Sequence, residues 1–198
     1  MKYRLGIDVG GTNTDAVILD EDNRVLAKCK EATTEDVSEG INAAVDKVLR
    51  DSAVKPEHIA DAMLGTTHAT NAIVERKGLS KVGVLRLASP SGHGIPPFIE
   101  WPEDMLKALG FSYGIVKGGY EYNGTLISGT DEDEIRKALE NIKGKGAEAL
   151  AVSCVFSPVN DEQELLAQKI AKEVFGAGFP VTLSNEIGSI GLLERENA

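Results

Sequence analysis

Three strand-type segments follow one another in the first 32 residues, and the turns between them are too short for any neighbouring pair to run parallel. RLGIDV, TDAVILD and RVLAKCKEA alternate or carry β-branched apolar residues, with GGTN and DEDN between them. A parallel connection needs a crossover of a dozen residues or more, so the chain must open as an antiparallel meander. From residue 34 the period changes. Val37, Ile41, Ala44, Val45, Val48 and Leu49 follow helical spacing, with Thr33 or Thr34 as N-cap and Glu35 and Asp36 in the first turn. Pro56 sets the end of that helix. A short strand DAMLG, a helix THATNAIVERKG with Gly78 as its C-terminal cap, and a strand KVGVLRLA complete a βββαβαβ order.

Residues 88 to 104 contain four prolines, two glycines and the single Trp, and read as a long irregular loop, a kind that is usually functional or mobile. YEYNGTLIS reads as a hairpin closed by a two-residue Asn-Gly turn. A helix follows in TDEDEIRKALENIKGKG, capped by Thr130 and acidic at its start. AEALAVSCVFS reads as a buried strand, NDEQELLAQKIAKEVFG as a capped amphipathic helix, and FPVTLS as a last short strand. The fold class is therefore α/β with a mixed sheet, its first three strands antiparallel. A division at 1–87, 88–130 and 131–198 separates the strand-rich core, the loop and hairpin, and a second α/β segment. An all-parallel Rossmann sheet fits less well, because there the glycine turn leads into a helix, whereas TDAVILD is β-branched.

Composition narrows the function. Net charge is -10 and aromatics make up 5%, so a surface that tracks nucleic-acid phosphates has little support. No apolar run approaches a membrane span, and MKYRLGID leads straight into a strand, so a soluble, cytoplasmic chain is expected. Cys29 and Cys154 lack CxxC or Cys/His neighbours and read as buried thiols of a reducing compartment. An anionic ligand would have to be met by backbone donors or a metal.

The turn Asp8-Val9-Gly10-Gly11-Thr12-Asn13-Thr14 offers both. Two residues without Cβ admit positive φ and let a phosphate approach the amides, while Thr12 and Thr14 add hydroxyls. Asp8 would repel a phosphate directly; its chemical role would be to hold Mg²⁺ through water, the ion bridging to phosphate oxygens. The competing reading is a structural hairpin with Asp8 supporting the turn. A second polar cluster, Gly65-Thr66-Thr67-His68-Ala69-Thr70-Asn71, follows a strand and opens a helix, where Thr66 and Thr67 would bind an anion or only cap the helix. Both clusters end strands expected in one sheet, which points to a phosphate site between them.

GIDVGGTNTDAVILD taken with GTTHATNAIVERKG resembles the N-terminal region of the A-type subunits of the hydantoinase/oxoprolinase family. The resemblance continues through residues 119 to 143, AVSCVFSPVNDEQE and LSNEIGSIGLLEREN, and is least clear over the 88–104 loop. It implies a ribonuclease-H-like lobe of an actin/hexokinase-type ATPase, with ATP and Mg²⁺ as cofactors in a cleft between two lobes. It implies further that ATP phosphorylates a lactam or imide carbonyl oxygen so that water can open a cyclic amide. On that basis Asp8 is the Mg²⁺-associated catalytic acid, Gly10, Gly11, Thr12, Asn13 and Thr14 form the phosphate turn, and Thr66 and Thr67 a second wall, with less weight on Asn71. The implied partners are a small cyclic amide, the C-terminal remainder of the same protein and a B-type subunit; a homo-oligomer stays open.

The sequence also departs from that family. Asn13 stands where the family turn generally has Phe, which favours a small-molecule kinase as the alternative enzyme; a non-catalytic nucleotide-binding regulator is the other alternative. Asn160-Asp161-Glu162-Gln163-Glu164 replaces the usual pairing after the buried strand and reads as a helix cap. The Ser91-Gly92-His93-Gly94 loop differs as well, so His93 is read as solvent-facing in preference to substrate-touching. Two lobes of this kind need a longer chain, so 198 residues suggest an N-terminal piece, inactive alone.

Overall fold

A computed structural model describes residues 2–34, 36–188 and 190–198, which divide into two compact units, residues 1–77 and 78–198. The first unit opens with the meander: β1 (Tyr3–Val9), β2 (Asn13–Leu19) and β3 (Val25–Ala32) pair antiparallel in sequence order. Helix α1 (Val37–Ser52) then carries the chain back to β4 (Ile59–Thr66), which pairs parallel with β1. The sheet order is β3-β2-β1-β4. Leu5, Ala16 and Ile18 face α1, whose Gly40, Ala44 and Val48 are buried at four-residue spacing, a stripe one helix face wide.

The expected cap of α1 shifts. Asp36 is the N-cap, its carboxylate accepting the Ser38 N–H at 2.9 Å, while Thr34 donates to the Asp36 carbonyl. Glu35 lies outside the described residues. Helix α2 (His68–Glu75) follows β4 and ends on Arg76, which takes the left-handed conformation expected two residues later at Gly78.

The second unit has a sheet of its own. β5 (Val82–Ser89) was expected beside the first strands, but it pairs parallel with β6 (Ser112–Lys117) and β7 (Ala149–Cys154), and β8 (Val181–Leu183) completes the order β6-β5-β7-β8. The boundary therefore falls before β5, and the core expected over 1–87 is confined to residues 1–77. Helices α4 (Glu132–Gly144) and α5 (Glu162–Phe175) bring Ile135, Leu139, Ile142 and Ile170 onto Leu85, Leu87, Leu150 and Val152. Asp131, one residue beyond the expected Thr130, caps α4 by accepting from the Asp133 and Glu134 N–H groups.

Residues 88 to 104 are not the open loop their prolines suggest. A 3-10 turn spans Ser91–Gly94, and helix α3 (Glu103–Leu109) starts before the stretch ends. Phe98 is buried, with the Trp101 ring edge-on at 5.6 Å and the Phe111 ring at the same distance, so the loop is fastened by its aromatics. The hairpin is reduced to a single bridge between Tyr120 and Leu126. Its turn has three residues, not two: Glu121 N–H donates to the Thr125 carbonyl at 2.7 Å and Gly124 takes positive φ (82°).

The opposite face of the second sheet is closed by a short helix, α6 (Leu192–Asn197). Arg86 and Ser153, in register on β5 and β7, both bond the Glu196 carboxylate, Arg86 through Nε at 2.7 Å and through a second nitrogen, Ser153 at 2.7 Å. The Arg86 and Glu196 side chains are 1% and 3% exposed. Arg86 also donates to the carbonyls of Gly92 and Ile95, so one guanidinium ties the loop, the sheet and α6 together.

Candidate functional site

The site is built by register. β1 and β4 run parallel with Asp8 beside Gly65 and Val9 beside Thr66, so the glycine turn and the threonine cluster leave the same end of the sheet on adjacent strands. The Thr66 hydroxyl donates to the Val9 carbonyl at 3.2 Å and accepts the His68 N–H at 3.0 Å. It thereby caps α2 and ties it to the end of β1. Thr67 is the residue preceding the helix and makes no side-chain cap bond.

The glycines serve for closeness, not for positive φ. Neither Gly10 nor Gly11 is in the left-handed region, contrary to the expectation from sequence. The Gly10 N–H closes the turn onto the Asn13 carbonyl at 2.9 Å, and a Cβ on Gly10 would stand 3.1 Å from that same oxygen. A Cβ on Gly11 would stand 3.3 Å from Nδ2 of Asn71 on α2. Asn71 therefore reaches over the turn from the second cluster, and a side chain at Gly11 would crowd it.

The threonines divide in role. Thr12 is exposed, its carbonyl accepting the Thr33 N–H at 2.9 Å. Thr14 is fully buried with its hydroxyl 3.1 Å from that of Thr33, whose own hydroxyl donates to the Gly10 carbonyl at 2.9 Å. Thr14 thus braces the turn from below, where the sequence had suggested an open donor. Gly11, Thr12 and Asp8 are exposed around the turn.

Register also assembles something that residue-by-residue reading missed. Asp8 pairs with Asp15 across β1 and β2, and Asp15 with Lys30 across β2 and β3, so the three side chains share one face. Like charges directly opposite one another are unfavourable, and Lys30, 3.3 Å from the Asp15 carboxylate, relieves the pair. They line, with Val17 and Lys28, a concavity of about 510 Å³. The available signal was the hairpin itself: a turn at residues 10–13 fixes Asp15 opposite Asp8. Cys29 points the other way, its thiol donating to the Ala44 carbonyl at 3.2 Å, and burial raises its pKa.

In the second unit, Gly118, Gly119, Gln163 and Leu87 pack closely at the strand ends. Its strand order reverses between β5 and β7, and in open parallel sheets ligands bind outside the carboxyl ends at such a point. Here the chain fills it: a Cβ on Gly118 would stand 2.7 Å from both Gln163 Oε1 and Leu87 Cβ, and the Gly119 N–H donates to Gln163 at 2.7 Å. His93 is exposed in this unit, its Nε2 3.1 Å from the Ser89 hydroxyl. The Asn160 carboxamide accepts the Glu162 N–H at 3.0 Å, the cap expected there.

The family pattern described as the hydantoinase/oxoprolinase N-terminal region matches residues 4–175. The chain belongs to the hydantoinase/oxoprolinase family. It is 30% identical to the caprolactamase alpha subunit of Pseudomonas jessenii over 195 residues, 86% of this chain and 26% of the relative. The solved structure of the ATP-dependent caprolactamase from Pseudomonas jessenii superposes with a TM-score of 0.70 at 25% identity, covering 98% of this chain and 30% of that one. A nucleotide-free acetone carboxylase structure superposes with a TM-score of 0.77 at 23% identity over 98% of this chain and 31% of its own, a likeness of fold. The chain thus spans between a quarter and a third of the length of these hydantoinase/oxoprolinase relatives.

Proposed function

We propose that this chain is the N-terminal, phosphate-binding part of an ATP-dependent enzyme that activates a carbonyl oxygen by phosphorylation and then opens a cyclic amide with water. The observation that carries the reading is the register of β1 and β4, with Asp8 beside Gly65, Val9 beside Thr66 and Asn71 leaning over Gly11. Gly11, Thr12 and Asn13 supply backbone and side-chain donors for phosphate oxygens, Gly10, whose N–H closes the turn, shapes the phosphate turn, Thr66 and Thr67 form the second wall, and Thr14 is the brace. The turn is exposed and has no Cβ where an anion would approach, which suits a nucleotide phosphate. Asp8 would hold Mg²⁺ through water, an ion that neutralises phosphoryl charge when bound with the nucleotide.

Family membership and the ATP-dependent caprolactamase among the relatives support the reaction class, and the relative's name as an alpha subunit supports a partner subunit. The actin-like two-lobe arrangement, the cytoplasmic location and the cyclic-amide substrate belong to the same proposal. Calorimetric titration of the full-length protein with Mg·ATP, followed by lactam-stimulated ADP release, tests it. Absence of nucleotide binding contradicts it.

Asn13, in place of the family's usual Phe, favours a second reading as a small-molecule kinase. Mass spectrometry of the product separates the two: a kinase leaves a stable phosphorylated compound, a hydrolase a ring-opened acid and free phosphate. A regulator without catalysis would bind nucleotide and yield neither product.

A further inference from the structure

β3 carries an ion pair on each of its faces. On the α1 side Lys47 donates to Glu31 at 2.6 Å and fastens the helix to the sheet. On the other side Lys30 and Asp15 join two strands that the β2–β3 ladder already holds, with side chains 61% and 47% exposed. A pair so open to water adds little to stability, so the fold gives no reason for it. Its place does. Gly65, Asp8, Asp15 and Lys30 form one row across four strands, two residues before the glycine turn. Within the row the two carboxylates diverge: Asp8 Oδ1 lies 3.8 Å from where a Cβ on Gly65 would stand, whereas Asp15 Oδ2 is 3.3 Å from the Lys30 ammonium.

A nucleotide brings several negative charges to a face that already holds two carboxylates, and backbone amides offer it partial charges alone. Lys30 lines the same concavity as Asp8 and carries a full positive charge. Its ammonium has three N–H donors, so a contact with Asp15 leaves donors for a ligand. It is also a compact charge on a flexible stem, able to follow an oxygen as charge develops there. We propose that Lys30 binds the terminal phosphate of the nucleotide and that Asp15 positions it. Lys30 then meets the phosphoryl oxygens from the β3 side, while Asp8, turned toward β4, addresses the metal. The sequence alone left an anion to backbone donors or a metal; strand register adds a lysine. The inference rests on the ATP reading and extends it to two residues outside the glycine turn.

Calorimetric titration of the full-length protein with Mg·ATP and, separately, with Mg·ADP tests it. Lys30→Gln should weaken ATP binding at least about 10-fold and ADP binding much less, because ADP lacks the phosphate that the ammonium touches. The urea midpoint should stay in place, as expected for an exposed pair. Lys30→Arg keeps the charge and should recover part of the loss. Asp15→Asn supplies a test of sign: removing a negative charge tightens ATP binding if charge alone matters, and weakens it if Asp15 holds Lys30 in position. Lys28→Gln removes the same charge from the same face two residues farther along β3, and should cost less than Lys30→Gln. The proposal is overturned by unchanged ATP binding in Lys30→Gln, by equal losses for ATP and ADP, by an equal loss in Lys28→Gln, or by tighter ATP binding in Asp15→Asn. A parent protein that binds no Mg·ATP overturns the ATP reading, and this inference with it. That result differs from a parent and a Lys30→Gln variant that bind ATP equally, which overturns the role of Lys30 alone.

Discussion

β4 and β5 are consecutive eight-residue strands with opposite surroundings. β5 is buried along six consecutive residues, with β6 and β7 on its flanks, the α4 and α5 side chains on one face and Glu196 of α6 on the other. Among the described residues β4 has β1 alone beside it, and it is exposed from Ala60 to Thr66. The contrast extends to their polar groups. In the second unit Arg86, Glu196, Glu164 and Arg195 are spent on internal bonds: Ser184 donates to Glu164 at 2.6 Å, and Arg195 donates to the Cys154 carbonyl at 2.7 Å. In the first unit Asp8, Thr12 and the glycine turn face outward. The second unit uses these charged groups in its own packing, whereas the first leaves polar groups at a strand end open to solvent.

The largest expected effect tests the self-satisfied side. Glu196→Ala leaves the Arg86 guanidinium buried without its carboxylate, and the loss should be about 3–5 kcal/mol in urea denaturation of the full-length protein. Replacing the pair together, Arg86→Met with Glu196→Leu, should recover much of that loss, because the desolvation cost disappears with the charges. A loss no larger in the single variant than in the double one would mean that the pair does not organise α6.

Next comes the outward-facing side. Asp8→Asn in the full-length protein should lower ATP turnover by roughly 10²-fold or more while its denaturation midpoint stays near that of the parent. Steady-state ADP release reads the first and a urea titration the second. Turnover unchanged by the substitution removes Asp8 from the chemistry and returns it to the role of turn support.

A smaller effect concerns Cys154. Burial, with Glu164 adding to it, pushes this thiol from 9.0 up to about 12. The folded state therefore holds the proton more tightly than the unfolded one. The stability linked to this thiol is complete below pH 9.0 and is lost as pH rises from there toward about 12. Native-state alkylation at pH 8 should be far slower than in urea, as mass spectrometry would reveal; equal rates would mean an accessible thiol. The smallest effect is expected at Arg136, paired with Glu173 at 2.7 Å between side chains 37% and 46% exposed. Arg136→Ala should not move the midpoint measurably, because exposed pairs contribute little.

What the sequence made legible follows from how local each signal is. The meander was readable because GGTN and DEDN leave no room for a crossover, and the helices because apolar spacing is written within one element. Nothing within KVGVLRLA says which sheet it will join: its partners on β7, such as Ala149 opposite Val82, lie 67 positions away, and so β5 was assigned to the wrong neighbours. SYGIVK escaped notice because Gly114 breaks its alternation and the preceding prolines suggest a loop, whereas Phe98 and Arg86 hold that loop in place. At the site, the residues of the turn were visible by type. The service each performs was not: buried Thr14 braces where it was expected to donate, Asn71 reaches Gly11, and Asp15 with Lys30 stands beside Asp8 through register alone.

The central claim is that the two turns at the ends of β1 and β4 form one phosphate site, and Gly11 is where they meet. Calorimetric titration of Mg·ATP into full-length Gly11→Val, beside the parent protein, tests it most directly, because the added side chain crowds Asn71 and occupies the approach to the turn. The prediction is nucleotide binding by the parent and a loss of at least about 100-fold in the variant, with an unchanged denaturation midpoint. Equal binding by both proteins would contradict it.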